Sequence, residues 1–260
     1  MLRLRTIVSK ALWKAFEVHE ILQESGEELV KKNQFGETAL RIDIEAERVI
    51  LDFLKEINFP IRVISEEYGI TEIGTPRYLG ILDGLDGSGV YREGRGRNRY
   101  GTMFGIFATL DPTYGDYLAS GIMEHSTKRL CVASKGRGVS VMQGEKTTSV
   151  HSSGKTLLDQ GSRIYVDEYF EINRKTFLEK LKAFKTRYLK SSAVYYFDVV
   201  SGAADLALEC TRKGNLEIAV AYGMVAEAGG VTVDLNGDAL KNKKYLQFGQ
   251  KEHVPVITAA

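Results

Sequence analysis

Residues 81–89 of the chain read ILDGLDGSG, with Asp83, Asp86 and Ser88 set among apolar residues and glycines. Tyr78 to Leu82 is an apolar run of strand length, so the spacing predicts a buried strand that stops at two carboxylates. Both acids then stand at a strand's carboxyl end, and the glycines let the following backbone turn its N–H groups outward. Ionised carboxylates this close repel one another, and a hard divalent ion with oxygen ligands relieves that repulsion best. Magnesium is the natural candidate. A nest of N–H groups at a helix start also suits a phosphate. Asp-Gly is equally ordinary turn chemistry, so these residues alone leave a surface turn open.

A second short apolar run, Ile61 to Ser65, also leads into acids, Glu66 and Glu67. Ser65-Glu66-Glu67, then Asp83 to Ser88, then a helix closing on Glu227-Ala228-Gly229-Gly230 resemble the inositol monophosphatase and fructose-1,6-bisphosphatase superfamily over most of the chain. Separated motifs in the right order are far more specific than any one of them. The resemblance implies an α/β (α+β) fold, a layered αβαβα sandwich of that type.

Bulk properties agree. A chain of 260 residues with 43% hydrophobic content can bury a large core, either as one two-lobed unit or as two small domains. A net charge of +1 gives no bulk attraction to nucleic acid or membrane, so neither is expected as a partner. Cys131 and Cys210 are distant and show no metal-ligand pairing, which reads as reduced core thiols. No export signal, long apolar span or lipidation motif is visible, and a cytoplasmic location is expected.

Taken in order, Leu4 to Lys32 is expected as one core-covering helix, with His19 packed on its apolar face rather than ligating zinc. Residues 37–42 read as a turn or short strand, and Asp43 as the N-cap of a helix running to Ile57. Arg92, Arg95, Arg97 and Arg99 lie in a glycine-rich segment that reads either as a solvated loop or as a mobile clamp for an anion. Residues 101–143 read as an antiparallel meander, and the polar segment 144–155 as a loop and lobe boundary. Beyond it come a strand at 163–166, a helix from Asn173 to Phe184, and a helix from Ser191 or Ser192 to Val200. A strand at 203–210, a helix from Glu217 to Ala228 and closing strands at 231–234 and 256–259 complete the chain. Two lobes are expected: residues 1–155, α+β with the metal-binding loop, and residues 156–260, α/β.

The resemblance also implies a site. One magnesium would use Glu66, Asp83 and the Leu85 carbonyl; a second would use Asp83, Asp86 and Glu217; a weaker third would involve Glu66 and Glu67. Two such ions clamp the attacking and leaving oxygens of an in-line displacement, and Mn2+ is an alternative ion. Asp43 and Ser88 would orient and deprotonate a water, with Glu66 also at the chemistry, and the Gly87 and Ser88 N–H groups would steady the phosphate. Arg187 and Tyr188 resemble an Arg-Tyr pair with which fructose bisphosphatases hold a remote phosphate, and Lys213 is a further phosphate contact.

Several residues depart from the pattern. Leu40 stands where many relatives carry threonine. Gly84 replaces the usual proline, which leaves the loop less rigid, and Lys190 replaces a common glycine. Glu217 matches the fructose bisphosphatases, where inositol monophosphatases use aspartate, and the spacing from Glu209 is one residue longer than theirs. The chain ends soon after its last strand, which fits an incomplete C-terminus or an unusual branch.

The expectation is a magnesium-dependent phosphomonoesterase for a small sugar phosphate, acting as a homodimer or homotetramer. Fructose 1,6-bisphosphate is the first candidate, inositol 1-phosphate the second and a 3′-phosphonucleotide the third. A non-catalytic scaffold of the same fold, binding protein or RNA through Arg92 to Arg99, is the alternative from another class.

Overall fold

The computed structural model describes residues 2–94, 98–212 and 214–260. Its first helix, α1 (Leu2–Leu22), buries Leu4, Ile7, Val8, Ala11, Leu12 and Ala15, the three- and four-residue steps of one helical face. The helix does not continue to residue 32 as expected. The chain turns through Gln23–Glu27, and β1 (Leu29–Lys32) pairs antiparallel with β2 (Thr38–Leu40). The break falls at Gln23, which takes φ +40° and whose carbonyl accepts the Tyr91 hydroxyl, so a tertiary contact stands where the local run of helix formers would continue. Next, α2 (Arg41–Glu56) lies beside α1 and buries Ile42, Ala46, Ile50 and Leu54.

These two helices cover one face of an eight-stranded sheet. It contains β3 (Ile61–Ser65), β4 (Gly69–Ile73), β5 (Tyr78–Asp86), β6 (Gly101–Phe107), β7 (Tyr117–Glu124), β8 (Arg129–Ser134), β9 (Val139–Gln143) and β10 (Lys146–Val150). The order is β10-β9-β8-β7-β6-β5-β3-β4, antiparallel throughout except for the parallel β3–β5 pair. The meander expected at 101–143 is present, but it extends one strand further. Residues 146–150, expected as loop, pair with β9 across a turn in which Gly144 takes φ +57°.

A second sheet contains β11 (Ile164–Val166), β12 (Thr186–Arg187), β13 (Leu206–Cys210), β14 (Val231–Asp234) and β15 (Pro255–Ala259), in the order β12-β11-β13-β15-β14. Besides the short α3 (Ser88–Gly94), the remaining helices are α4 (Glu171–Asn173) and α5 (Glu179–Leu181), joined by a π turn, then α6 (Ser192–Val200) and α7 (Leu216–Glu227). The helical segment expected from Asn173 to Phe184 therefore starts and ends earlier. Asn173 does not cap it; its side chain is buried inside, accepting a hydrogen bond from the Cys210 thiol. Helices α6 and α7 fill the space between the sheets, and the α4–α5 segment covers the far side of the second through Phe177 and Leu181. The order of layers is αβαβα.

One core cluster joins Leu79, Ile81 and Met103 of the first sheet to Tyr196, Phe197, Val220 and Met224 of the middle helices, so residues on both sides of position 155 share it. Both cysteines are free and buried. Among the described residues no helix is long and apolar enough to cross a membrane.

Candidate active site

The acids of the opening stretch stand at the carboxyl end of β5, as expected, although the strand runs past Leu82 and takes them in. Its pairing with β6 shifts register between Asp83 and Asp86. That irregularity breaks the alternation of side chains and re-aims both carboxylates. Gly84 sits at its crest against α2, where a Cβ would stand 2.6 Å from the Asp43 carbonyl oxygen and 2.8 Å from Glu47 Cγ. The glycine expected to loosen the loop is thus a point of close approach. It is held further by the Thr102 hydroxyl, which donates to the Gly84 carbonyl at 2.7 Å, while the Leu85 N–H donates to Asp83 Oδ1 at 2.9 Å. Gly87 turns the chain with φ +96° into α3, which Ser88 begins.

Asp83, Asp86 and Glu217 offer carboxylate oxygens that all lie within 4.8 Å of one another. Asp86 is fixed by the N-terminus of α6: the Ser191 hydroxyl and the Ala193 N–H (2.8 Å) both donate to its Oδ2. Glu217 stands in the first turn of α7, where the helix dipole favours an acid. Burial first, then the charges of Glu66, Asp86 and Glu217, push the Asp83 carboxyl well above its ordinary range. Burial and then Glu217 do the same to Glu66. A buried set of oxygen donors that cannot carry its own negative charge fits a hard divalent cation.

Glu66 and Glu67 follow β3 at the rim of this cluster. The β1–β2 hairpin closes over them, and Asn33 Nδ2 donates to Glu66 Oε1 at 3.1 Å and to Glu67 Oε1 at 3.3 Å. Asp43 is the third residue of α2 rather than its N-cap. Its Oδ2 accepts the Leu40 N–H at 2.7 Å, satisfying a free donor from inside the first turn, while Oδ1 stands 3.5 Å from Ser88 Oγ. Ser88 Oγ also donates to the Leu85 carbonyl at 3.2 Å. Burial pushes the Asp43 carboxyl up to about 7.

Lys213, expected from the sequence as a phosphate contact, lies outside the described residues; among those described, Arg212, one position before it, is a cation beside Glu217. Its Nε is 3.9 Å from Glu217 Oε1, its Nη2 donates to Asp167 at 3.2 Å, and the guanidinium lies over the Tyr169 and Phe170 rings. Tyr188 shares this neighbourhood, with Asp167 and Arg212 among the charges that act on its hydroxyl. Arg187 is exposed on the edge strand β12.

The arginine-rich segment is only partly available as a clamp. Arg99 is spent on a fork to Asp198 of α6 (2.6 and 2.7 Å) and on Glu124 of β7, tying the middle helices to the first sheet. Arg95 and Arg97 lie outside the described residues. Glu209 is likewise occupied, accepting the hydroxyls of Ser192 (2.7 Å) and Tyr196.

With this geometry in place, the chain matches the inositol monophosphatase family over residues 3–258. It belongs to that family. A bifunctional NADP phosphatase/NAD kinase of Methanococcus maripaludis is 28% identical over 82% of the chain, which spans only 40% of that relative's length. A fructose-1,6-bisphosphatase/inositol-1-monophosphatase of Methanocaldococcus jannaschii is 27% identical over 79% of the chain and 75% of the relative. Among solved structures, a Thermotoga maritima IMPase has the same fold, with a TM-score of 0.76 over the whole chain and 92% of its own length at 21% identity. Sequence reasoning nevertheless missed Asn33, Glu47 and Arg212, and named Ser191 as a helix start without its hold on Asp86. Only Glu47 left a local signal, four residues after Asp43 and so on the same face of α2.

Proposed function

We propose that this chain is a magnesium-dependent phosphomonoesterase acting on a small phosphorylated metabolite. The observation that carries the reading is the triad of buried Asp83 and Asp86 with half-buried Glu217, its oxygens within 4.8 Å, beside the turn at Gly87 and Ser88. These three acids, with Glu66 and the Leu85 carbonyl, would hold two ions, and Glu67 would contribute to a third; Mn2+ is the alternative ion. Bound there, the ions supply positive charge that polarises phosphoryl oxygens and lowers the cost of charge on the attacking and leaving groups.

The chain's own groups do the rest. Ser88 orients a water between its hydroxyl and Asp43. Asp43, with its carboxyl near 7, is matched to taking a proton close to neutral pH. The Gly87 and Ser88 N–H groups hold the phosphate, and Arg212 adds a fixed positive charge beside Glu217. Arg187, Tyr188 and Lys213 are proposed contacts for the remainder of the substrate, and a homodimer or homotetramer is the proposed assembly.

Phosphate release from fructose 1,6-bisphosphate, inositol 1-phosphate and a 3′-phosphonucleotide, measured with magnesium and with chelator, tests the reading. Release from at least one ester, abolished by chelator and by Asp86→Asn, is expected. No release from any ester by folded protein would overturn it.

A further inference from the structure

Glu47 is 0% exposed, sits on α2 one helical turn beyond Asp43, and has no ion-pair partner among the described residues. Three consecutive backbone N–H groups converge on its carboxylate instead. Oε1 accepts from Glu66 at 2.9 Å and Glu67 at 3.2 Å, and Oε2 from Glu67 at 3.1 Å and Tyr68 at 3.2 Å. Successive N–H groups turned to one side form a nest that an anion fills, and here a side chain from another element fills it. The same side chain forms the floor under the metal loop, because only the absence of a Cβ at Gly84 makes room for Glu47 Cγ. Glu47 therefore ties together the turn that carries Glu66 and Glu67, the crest between Asp83 and Asp86, and the helix that carries Asp43.

We infer that Glu47 is a positioning residue that sets cation affinity by holding Glu66 at its distance from the Asp83–Asp86 loop. The role rests on the phosphatase reading for its purpose, but its effect on cation binding is measurable without any substrate. An apolar side chain of the same size would fill the space and leave three N–H groups without acceptors. Glutamine keeps one oxygen and turns an amide NH2 towards donors, so the turn loses part of its hold while the packing survives.

The experiment is magnesium binding to the full chain, read from the rise of the thermal unfolding midpoint with magnesium concentration and no substrate present. Glu47→Gln is expected to weaken binding by about tenfold, the lower end of what lost outer-shell contacts cost a metal site. Glu66→Gln should weaken it at least as much. The double variant should be little weaker than Glu66→Gln alone, because the first substitution acts through the second residue. In steady-state assays, saturating magnesium should return Glu47→Gln to within about threefold of wild-type kcat, a recovery that loss of a reacting group would not allow. Unchanged magnesium dependence in Glu47→Gln, or full additivity with Glu66→Gln, would overturn the inference. Failure of the wild type to hydrolyse any ester would sink the phosphatase reading and leave the binding result standing.

Discussion

Replacing Asp83 with Asn should make the metal-free protein more stable and remove its response to magnesium. Asp83 is 2% exposed and lies with Asp86 and Glu217 in a set whose oxygens are within 4.8 Å. Two unit charges at that separation repel by about 3.5 kcal/mol at an effective dielectric of about 20. The native protein escapes part of this by keeping protons on raised carboxyls, so the gain on removing one charge is expected at about 1–3 kcal/mol near pH 8. Asparagine keeps an oxygen for the Leu85 N–H, which limits the loss of local structure. Linkage gives the direction. A carboxyl raised on folding contributes stability that is fully present below its unfolded value near 4 and is lost as pH rises through the folded value. The metal-free wild type should therefore weaken from about pH 4 upward, through the region near 7 where Asp43 ionises. Urea unfolding at pH 5, 7 and 8.5, with EDTA and with magnesium chloride, reads all of this. The wild type should gain more from magnesium at pH 8.5 than at pH 5, and Asp83→Asn should gain little at either. A variant less stable than wild type in EDTA at pH 8.5, or equally stabilised by magnesium, would refute the account of a charge-frustrated cation site.

Two further outcomes follow from other contacts. His19 stacks on His125 with ring centroids 3.5 Å apart; burial lowers His19 to about 3, and burial, then the charge of His19, holds His125 well below its ordinary range. As pH falls from 6.5 the unfolded chain takes up protons that the folded chain refuses, so with magnesium saturating, stability should fall by about 1.4 kcal/mol per pH unit for each histidine. His19→Phe should roughly halve that slope, and an unchanged slope would show that the pair does not control it. Ser191→Ala removes both a donor to Asp86 and the N-cap of α6, where Ser191 Oγ accepts the Val194 N–H. A loss of about 1–2 kcal/mol and a higher magnesium requirement are expected; a stability loss with unchanged magnesium affinity would confine the residue to capping.

Much of this protein is written locally and is legible in the chain. The apolar steps of α1 and α2, the strands leading to Glu66 and Asp83, the glycines around Asp86 and the acid at the head of α7 each follow from spacing and turn chemistry within a few residues. The acids in their order were enough to place the chain in its family. What the sequence did not disclose depends on partners far apart in the chain. The end of α1 coincides with Tyr91 reaching Gln23, the role of Glu47 is decided by a turn at Glu66 to Tyr68, and the hold on Asp86 by Ser191. Arg99 reads as part of a solvated loop or an anion clamp until Asp198 and Glu124 are brought to it. Periodicity says which face of an element is buried but not what lies opposite. That is set when two sheets close on α6 and α7, because only then do buried polar groups meet the partners that decide their charge and purpose.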